Sequence, residues 1–274
     1  MSSGEWRRAR RGVYRDARFE DTCADAAHHA RCAALLASLR APAVVSHTSA
    51  IRLLGLPSPP NRGDGRACVT RRPPAPSNDP LLGDVHVTDY DDEDVVVVDG
   101  VPVLAGARMV VDCCAVLPPD SALAVADAAL RRRLTTPDAL EHELERRHGQ
   151  PGITVAALVV DRADAGGTNW FESMSRWWLL EAGLPRPALQ VPFRGEGRRA
   201  EVDMWFPQHH TVGEADGAGK YDEPGSLFAE KVREDWLRDA HRVEVVRWTP
   251  VEMRSPRGRT AVVVRFNRAF DRRC

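Results

Sequence analysis

Lysine is nearly missing from this chain: of 38 lysine and arginine residues, only Lys220 and Lys231 are lysines, and they stand close together. A coding sequence rich in G and C favours arginine codons, so the scarcity carries no message. The placement does, because lysine is a compact point charge that can change protonation state, whereas arginine is a permanently charged fork. Cysteine is sparse and unpatterned. Cys23, Cys32, Cys68, Cys113, Cys114 and Cys274 form no C-x-x-C pair, which argues against a zinc ribbon or a disulfide framework and for a reducing compartment. The opening MSSGEWRRARRG lacks an apolar signal core, and no apolar run approaches membrane-spanning length, so a cytoplasmic protein without a membrane partner is expected. The net charge of -1 denies the molecule an overall basic field. Any nucleic-acid contact must come from local arginines such as Arg7 to Arg11, Arg131 to Arg133 or Arg194 to Arg199, runs that elsewhere are most often solvated surface.

What is present suggests two domains. A chain of 274 residues exceeds the usual single-domain size, and each half is long enough to bury a core. The small, polar, glycine-rich stretch from Ala163 to Asn169 separates two differently patterned regions. It sets the expected division at residues 1–163, a linker over 164–170 and a second domain over 171–274. Pro57 to Pro80, crowded with Pro, Gly, Asn and Asp, is expected to be an exposed connection. In the first half, helices are predicted over Asp21 to Arg40, from Ser46 or Thr48 to Leu54, and over Ala105 to Val116, Ser121 to Arg133, Pro137 to His148 and Ile153 to Arg162. Short strands are predicted at Ala43 to Val45, Val85 to Thr88, Val95 to Val98 and Val101 to Val103, with Asp99-Gly100 as a hairpin turn. The expected module is mostly helical α+β.

In the second half, spacing meets chemistry. A helix is predicted from Phe171 to Ala182, with Glu172 and Arg176 four apart on one face and Phe171, Met174 and Trp178 on another. In Glu201 to Phe206, alternation sets Val202, Met204 and Phe206 on one face and Asp203 on the other. After a turn at Pro207 to His210, Thr211 to Asp216 returns as a strand whose Glu214 and Asp216 share a side. Two neighbouring strands thus offer three carboxylates together. Clustered carboxylates raise one another's pKa unless a cation sits among them, and their natural stabiliser is a hard divalent ion, Mg2+ or Mn2+. Such an ion can activate water against a phosphodiester, and a nearby lysine adds charge or orients the water. Lys220 lies just past the strand. Lys231 lies on a helix predicted over Ser226 to Ala240, with Phe228, Val232, Trp236 and Ala240 as its apolar steps; an ion pair with Asp235 explains Lys231 equally well. A strand at Val243 to Trp248 and a closing helix at Thr260 to Phe270, with Val263, Phe266 and Phe270 buried, complete this half. His209 and His210 lack spaced partners and are expected to be exposed. The tryptophans of this half are expected to pack its core, and no base with its orienting acid can be placed beside Ser46, Ser49 or Cys113-Cys114 to make a nucleophile.

Glu172-Ser173-x-x-Arg176, Leu184-Pro185-x-Pro187, Val202-Asp203, Glu214-Ala215-Asp216-Gly217, Lys220-Tyr221, Phe228-x-Glu230-Lys231-x-Arg233-Glu234-Asp235 and Val246-Arg247-Trp248, in this order, resemble the C-terminal domain of actinobacterial proteins related to very-short-patch-repair endonucleases, in the PD-(D/E)xK superfamily. The resemblance spans about Phe171 to Phe270. It implies a restriction-endonuclease-like mixed sheet flanked by helices, a DNA substrate, Asp203 and Glu214 as metal ligands with Asp216 beside them, and Glu172 as the acid borne on a helix. The superfamily's E-x-K strand is E-x-D here, so Asp216 stands at the usual lysine position: either Lys220 or Lys231 replaces that lysine, or the site is inactive. In the first half, Arg11-Gly12-Val13-Tyr14-Arg15, Val45-Ser46-His47-x-Ser49-Ala50-x-x-Leu53-x-Gly55-Leu56-Pro57 and Val97-Val98-x-x-Gly100-Val101-Pro102-Val103 are similar to AbiEi-like antitoxins of type IV toxin-antitoxin systems, which are repressors with an N-terminal winged helix-turn-helix. About ten residues precede the Gly-Val-Tyr-Arg segment, where that family has most of its winged helix. Two functions follow as expectations. One is a Mg2+-dependent endonuclease acting on DNA, with Asp203 and Glu214 binding the metal, Glu172 a further ligand or water-orienting acid, and Lys220 or Lys231 near the scissile phosphate. The other is a DNA-binding regulator whose nuclease fold survives without catalysis.

Overall fold

The structure is a computed structural model and describes residues 6–10, 13–16, 24–39, 41–57, 65–74, 83–216 and 226–272. The chain divides into two compact units, Met1–Ala163 and Asp164–Cys274, and both combine helices with sheet.

The N-terminal unit begins with a hairpin of β1 (Trp6–Arg10) and β2 (Val13–Asp16), followed by α1 (Ala24–Ser38), β3 (Val44–Val45), α2 (His47–Leu53), β4 (Cys68–Arg71) and β5 (Asp84–Val87). β6 (Val95–Val98) and β7 (Val101–Leu104) form a second hairpin. Its turn has Asp99 at φ 47° and Gly100 at φ 79°, the paired positive values that match the right-handed twist of the flanking strands. Four helices follow: α3 (Gly106–Val116), α4 (Pro119–Arg131), α5 (Pro137–Arg146) and α6 (Ile153–Arg162). α5 starts as its sequence demands, with Pro137 at the first position and the Thr136 hydroxyl accepting from the Ala139 N–H at 3.2 Å. The larger sheet is mixed and five-stranded, in the order β5-β4-β3-β7-β6. This corrects one expectation. The stretch from Pro57 to Pro80 is not wholly an exposed connection, because Cys68–Arg71 forms a strand, buried along its length, between β3 and β5. Residues 58–64 and 75–80 of that stretch lie outside the described residues.

The C-terminal unit runs α7 (Trp170–Glu181), β8 (Ala188–Gly195), β9 (Arg198–Phe206), β10 (Thr211–Ala215), α8 (Ser226–His241), β11 (Glu244–Trp248), α9 (Pro250–Met253) and α10 (Pro256–Asp271). Asp164 to Asn169 are built into this unit: Gly166 N–H donates to the Asp164 carboxylate at 2.7 Å, and the Asn169 side chain caps α7 by accepting from Glu172 N–H at 3.0 Å. Three antiparallel strands and one parallel strand give the sheet order β11-β10-β9-β8, with α8 as the crossover between β10 and β11. One face carries α7, α9 and α10, where Leu179, Met204, Phe206, Ala215, Val246, Trp248, Met253, Val262 and Phe266 form the core. Gly213 lets α10 approach, since a Cβ there would lie 3.0 Å from the Phe266 ring. The other face carries Trp236 and Leu237 of α8 against Ala200, Val202, Val212 and Val243.

Two face assignments differ from the sequence expectation. Val202 packs against α8, whereas Met204 and Phe206 pack on the opposite face. The alternation breaks at Asp203, where the facing strand has Gln190 in a left-handed conformation, φ 50°. On α8, Phe228 and Val232 are 73% and 36% exposed and Ala240 is exposed; of the expected apolar steps only Trp236 is buried. The half-buried Glu230, Arg233 and Glu234 face the sheet instead, because the strand residues opposite them are charged.

Candidate functional site

β9 and β10 pair at Thr211↔Phe206, Val212↔Trp205 and Gly213↔Met204, and the ladder stops there. Continued by one step, it sets Glu214 opposite Asp203. In place of the next backbone bond, the Asp203 carboxylate accepts from Ala215 N–H at 2.8 Å. Asp203 and Glu214 are thereby brought together where the strands part. Glu214 is only 3% exposed, and its carboxyl is raised to about 7 by burial first and by the Asp203 charge second, against the pull of Arg233 and Arg247.

Asp216 and Glu172 are engaged elsewhere. Asp216 accepts a fork from Arg247, Nε at 2.9 Å and Nη2 at 3.1 Å, from β11. The parallel register β10–β11 places Arg247 directly beside Glu214. Arg247 also donates to Glu230 and, at 3.1 Å, to Glu234, both on α8. Burial works against its charge, and the bonds to Glu230 and Asp216 outweigh it, so its affinity for a proton is raised further. Glu230 lies below the usual carboxylate range, because the hydrogen bond and charge of Arg247, then the charge of Arg233, overcome burial. Arg233 completes the lattice, with Nη2 on Glu214 at 3.0 Å and on the Glu201 carbonyl at 2.5 Å, and Nη1 on Glu230 at 3.0 Å. Glu172 accepts from Thr168 N–H at 3.1 Å, Thr168 Oγ1 at 2.6 Å, the Asn169 amide and Gln190 Nε2 at 3.2 Å. Gln190 sits between the paired residues Leu189↔Met204 and Val191↔Val202 and so faces Asp203 in register. It links the Glu172 cluster to the strand that carries Asp203.

Lys231 is exposed on α8. Lys220, with Gly217 to Gly219 and Tyr221, lies outside the described residues. Asp203 and Glu214 supply hard oxygen donors side by side, which suits Mg2+ or Mn2+. Among the described residues no group of three His, Cys, Asp or Glu side chains is spaced to hold a metal ion. Sequence reasoning gave no role to Arg233, Arg247, Gln190 or Thr168. The Asn169-x-x-Glu172 spacing is a legible capping signal, and strand alternation sets Arg247 on the face opposite Val246 and Trp248. Neither pattern identified a partner.

The remaining candidates of the second unit are structural. His209 is half-buried and stacks on Phe270 at 3.8 Å, while His210 occupies the left-handed turn position, φ 44°. Trp177, Trp236 and Trp248 are buried, and Trp248 Nε1 donates to Ser175 at 2.9 Å. In the N-terminal unit, histidines lie beside the two serines: His28 Nε2 to Ser49 Oγ and His47 Nδ1 to Ser46 Oγ are each 2.9 Å. All four are buried, and Ser49 Oγ also accepts from Cys68 N–H at 2.9 Å, so these are internal links. Burial pushes the Cys114 thiol up to about 12, which removes its nucleophile. No described helix is long and apolar enough to cross a membrane.

Two curated relatives, both uncharacterized proteins of Mycobacterium tuberculosis, from strain CDC 1551 / Oshkosh and strain ATCC 25618 / H37Rv, are each 29% identical over 157 residues, or 55% of either chain. The chain therefore spans about half the length of the curated relatives it matches. No protein-family model matches it. No solved structure matches it.

Proposed function

We propose that the C-terminal unit is a nuclease-fold domain that hydrolyses phosphodiester bonds in DNA, with a divalent cation held by Asp203 and Glu214. The observation that carries this reading is the meeting of these two carboxylates where β9 and β10 part, in a unit ordered α7-β8-β9-β10-α8-β11. That order of elements supports the resemblance to the PD-(D/E)xK superfamily. Mg2+ or Mn2+ would supply charge for the developing phosphorane oxygens and a water of lowered pKa. The chain's own residues position the site. Ala215 N–H fixes one Asp203 oxygen, and Thr168, Asn169 and Gln190 fix the Glu172 carboxylate. Arg194 and Arg199 are exposed and paired directly across the β8–β9 ladder, with Arg198 beside them. Like charges opposite one another destabilise a sheet; Glu201, 3.5 Å from Arg199, offsets part of that repulsion, and a polyanionic backbone would relieve the rest. A cleavage assay on duplex, nicked, mismatched and single-stranded DNA tests the reading. Cutting should require Mg2+ or Mn2+, stop with chelator, and fall by orders of magnitude in Asp203→Asn. Lys220→Ala should slow cutting more than Lys231→Ala, since Lys220 lies in the sequence just past the strand that carries Glu214.

A second reading has its own support. Asp216 replaces the superfamily's strand lysine and is closed by the Arg247 fork, which favours a DNA-binding regulator, antitoxin-like in its first half, whose nuclease fold is a platform. Binding without cutting on every substrate with either ion selects it.

A further inference from the structure

Arg233 and a divalent cation require the same carboxylate. Nη2 of Arg233 donates to Glu214 Oε1 at 3.0 Å, and Glu214 is one of the two groups on which the nuclease reading, and with it this inference, rests. We propose that Arg233 is a built-in competitor for the cation: its guanidinium holds Glu214 in the resting protein and must leave before the metal can bind.

The two arginines of the lattice are not equivalent. Arg247 is fixed from three sides, by the fork on Asp216, by Glu230 and by Glu234. Four of its donor contacts are with carboxylates, and two of those acids lie on a different element from the other. Arg233 binds Glu214 through a single nitrogen, which it shares with the Glu201 carbonyl, and its side chain is 26% exposed. When Arg233 leaves Glu214, Arg247 still ties α8 to β10 and β11, so the exchange needs no undocking of the helix. The displaced guanidinium keeps a partner on its own helix, Glu230 at 3.0 Å, one turn away. The exchange is local: one side chain moves, and a hard cation takes the oxygen it vacates.

Titration of the metal-stripped full chain with MnCl2, followed by calorimetry, tests this directly. Removing one charge-assisted bond from the apo side of the equilibrium is expected to tighten Mn2+ binding by about tenfold in Arg233→Gln. Asp203→Asn should weaken binding in either background. If Arg233→Gln binds Mn2+ as wild type does or more weakly, while Asp203→Asn still abolishes binding, the metal site stands and the competition is refuted. If neither wild type nor Arg233→Gln binds Mn2+, both the metal reading and the competition fail. A measurement on the unaltered protein covers the case of a misfolded variant. In 15N spectra of the arginine side chains, the Arg233 signals should shift and exchange faster with solvent on saturation with Mg2+, while those of Arg247 stay in place. Unchanged Arg233 signals at saturation overturn the proposal.

Discussion

Replacing Glu214 by Gln should make the C-terminal unit more stable at pH 8 than wild type, by an amount that shrinks toward acid. The carboxyl ordinarily titrates at 4.5 and is carried to about 7 in the folded protein, by burial and by Asp203. At ~1.4 kcal/mol per pH unit of displacement, ionising it inside the fold costs about 3 kcal/mol. The sign follows from proton uptake. Below pH 4.5 the group is protonated in both states and contributes nothing. Between 4.5 and about 7 the unfolded chain releases its proton while the folded chain keeps it, so stability falls as pH rises. Above that window the full penalty is present. Gln cannot ionise, so the advantage of Glu214→Gln over wild type should grow by ~2–3 kcal/mol between pH 5 and pH 8. Of the seven tryptophans, all but Trp6 lie in the C-terminal unit, so urea unfolding followed by tryptophan fluorescence, with chelator present, reports on the right part of the molecule. A difference between the two proteins that is the same at both pH values, or that moves in favour of wild type as pH rises, would refute the electrostatic account of the Asp203–Glu214 pair.

Gly152, the residue before α6, has φ 80°, and a Cβ there would lie 2.3 Å from the Ala115 carbonyl at the end of α3. Gly152→Ala should cost the N-terminal unit upwards of ~2 kcal/mol, read as a lower midpoint in thermal unfolding followed by helical circular dichroism. Burial, then the charges of Arg52 and Arg31, lowers His28 to about 4, so the folded state excludes a proton that the unfolded chain accepts from 6.5 downward. The N-terminal unit should lose stability as pH falls from 6.5 toward 4, and His28→Gln should flatten that dependence in urea unfolding.

The sequence carried the second unit further than the first. In α7 the periodicity is set by local contacts, so Phe171, Met174 and Trp178 pack where the helical spacing puts them, while on β9 alternation holds from Met204 to Phe206 and breaks at Asp203. The Asp99-Gly100 turn was legible because its positive φ values are a property of two residues. β4 was hidden. Its four residues stand amid Pro, Gly and Asp, and only pairing with β3 and β5 makes Cys68–Arg71 a strand. The inner face of α8 was equally hidden, since four-residue apolar steps pointed to Phe228 and Val232. A helix turns toward whatever complements the sheet it meets, and the sheet here offers Glu214, Asp216 and Arg247. Their adjacency comes from a parallel register joining distant segments, which no local pattern encodes.

That register also bears on how this region can change by descent. Asp216 and Arg247 form one charge-neutral fork across β10 and β11. Losing Arg247 alone strands the buried Asp216 carboxylate, a change that costs ~3–5 kcal/mol, whereas losing Asp216 alone leaves Arg247 with Glu230 and Glu234. Drift at position 247 is therefore chained to position 216. A lysine after Glu214-Ala215 would meet the Arg247 guanidinium in place of its acid partner, so it takes two substitutions in concert, and related chains that lack arginine at 247 should lack the acid at 216 as well.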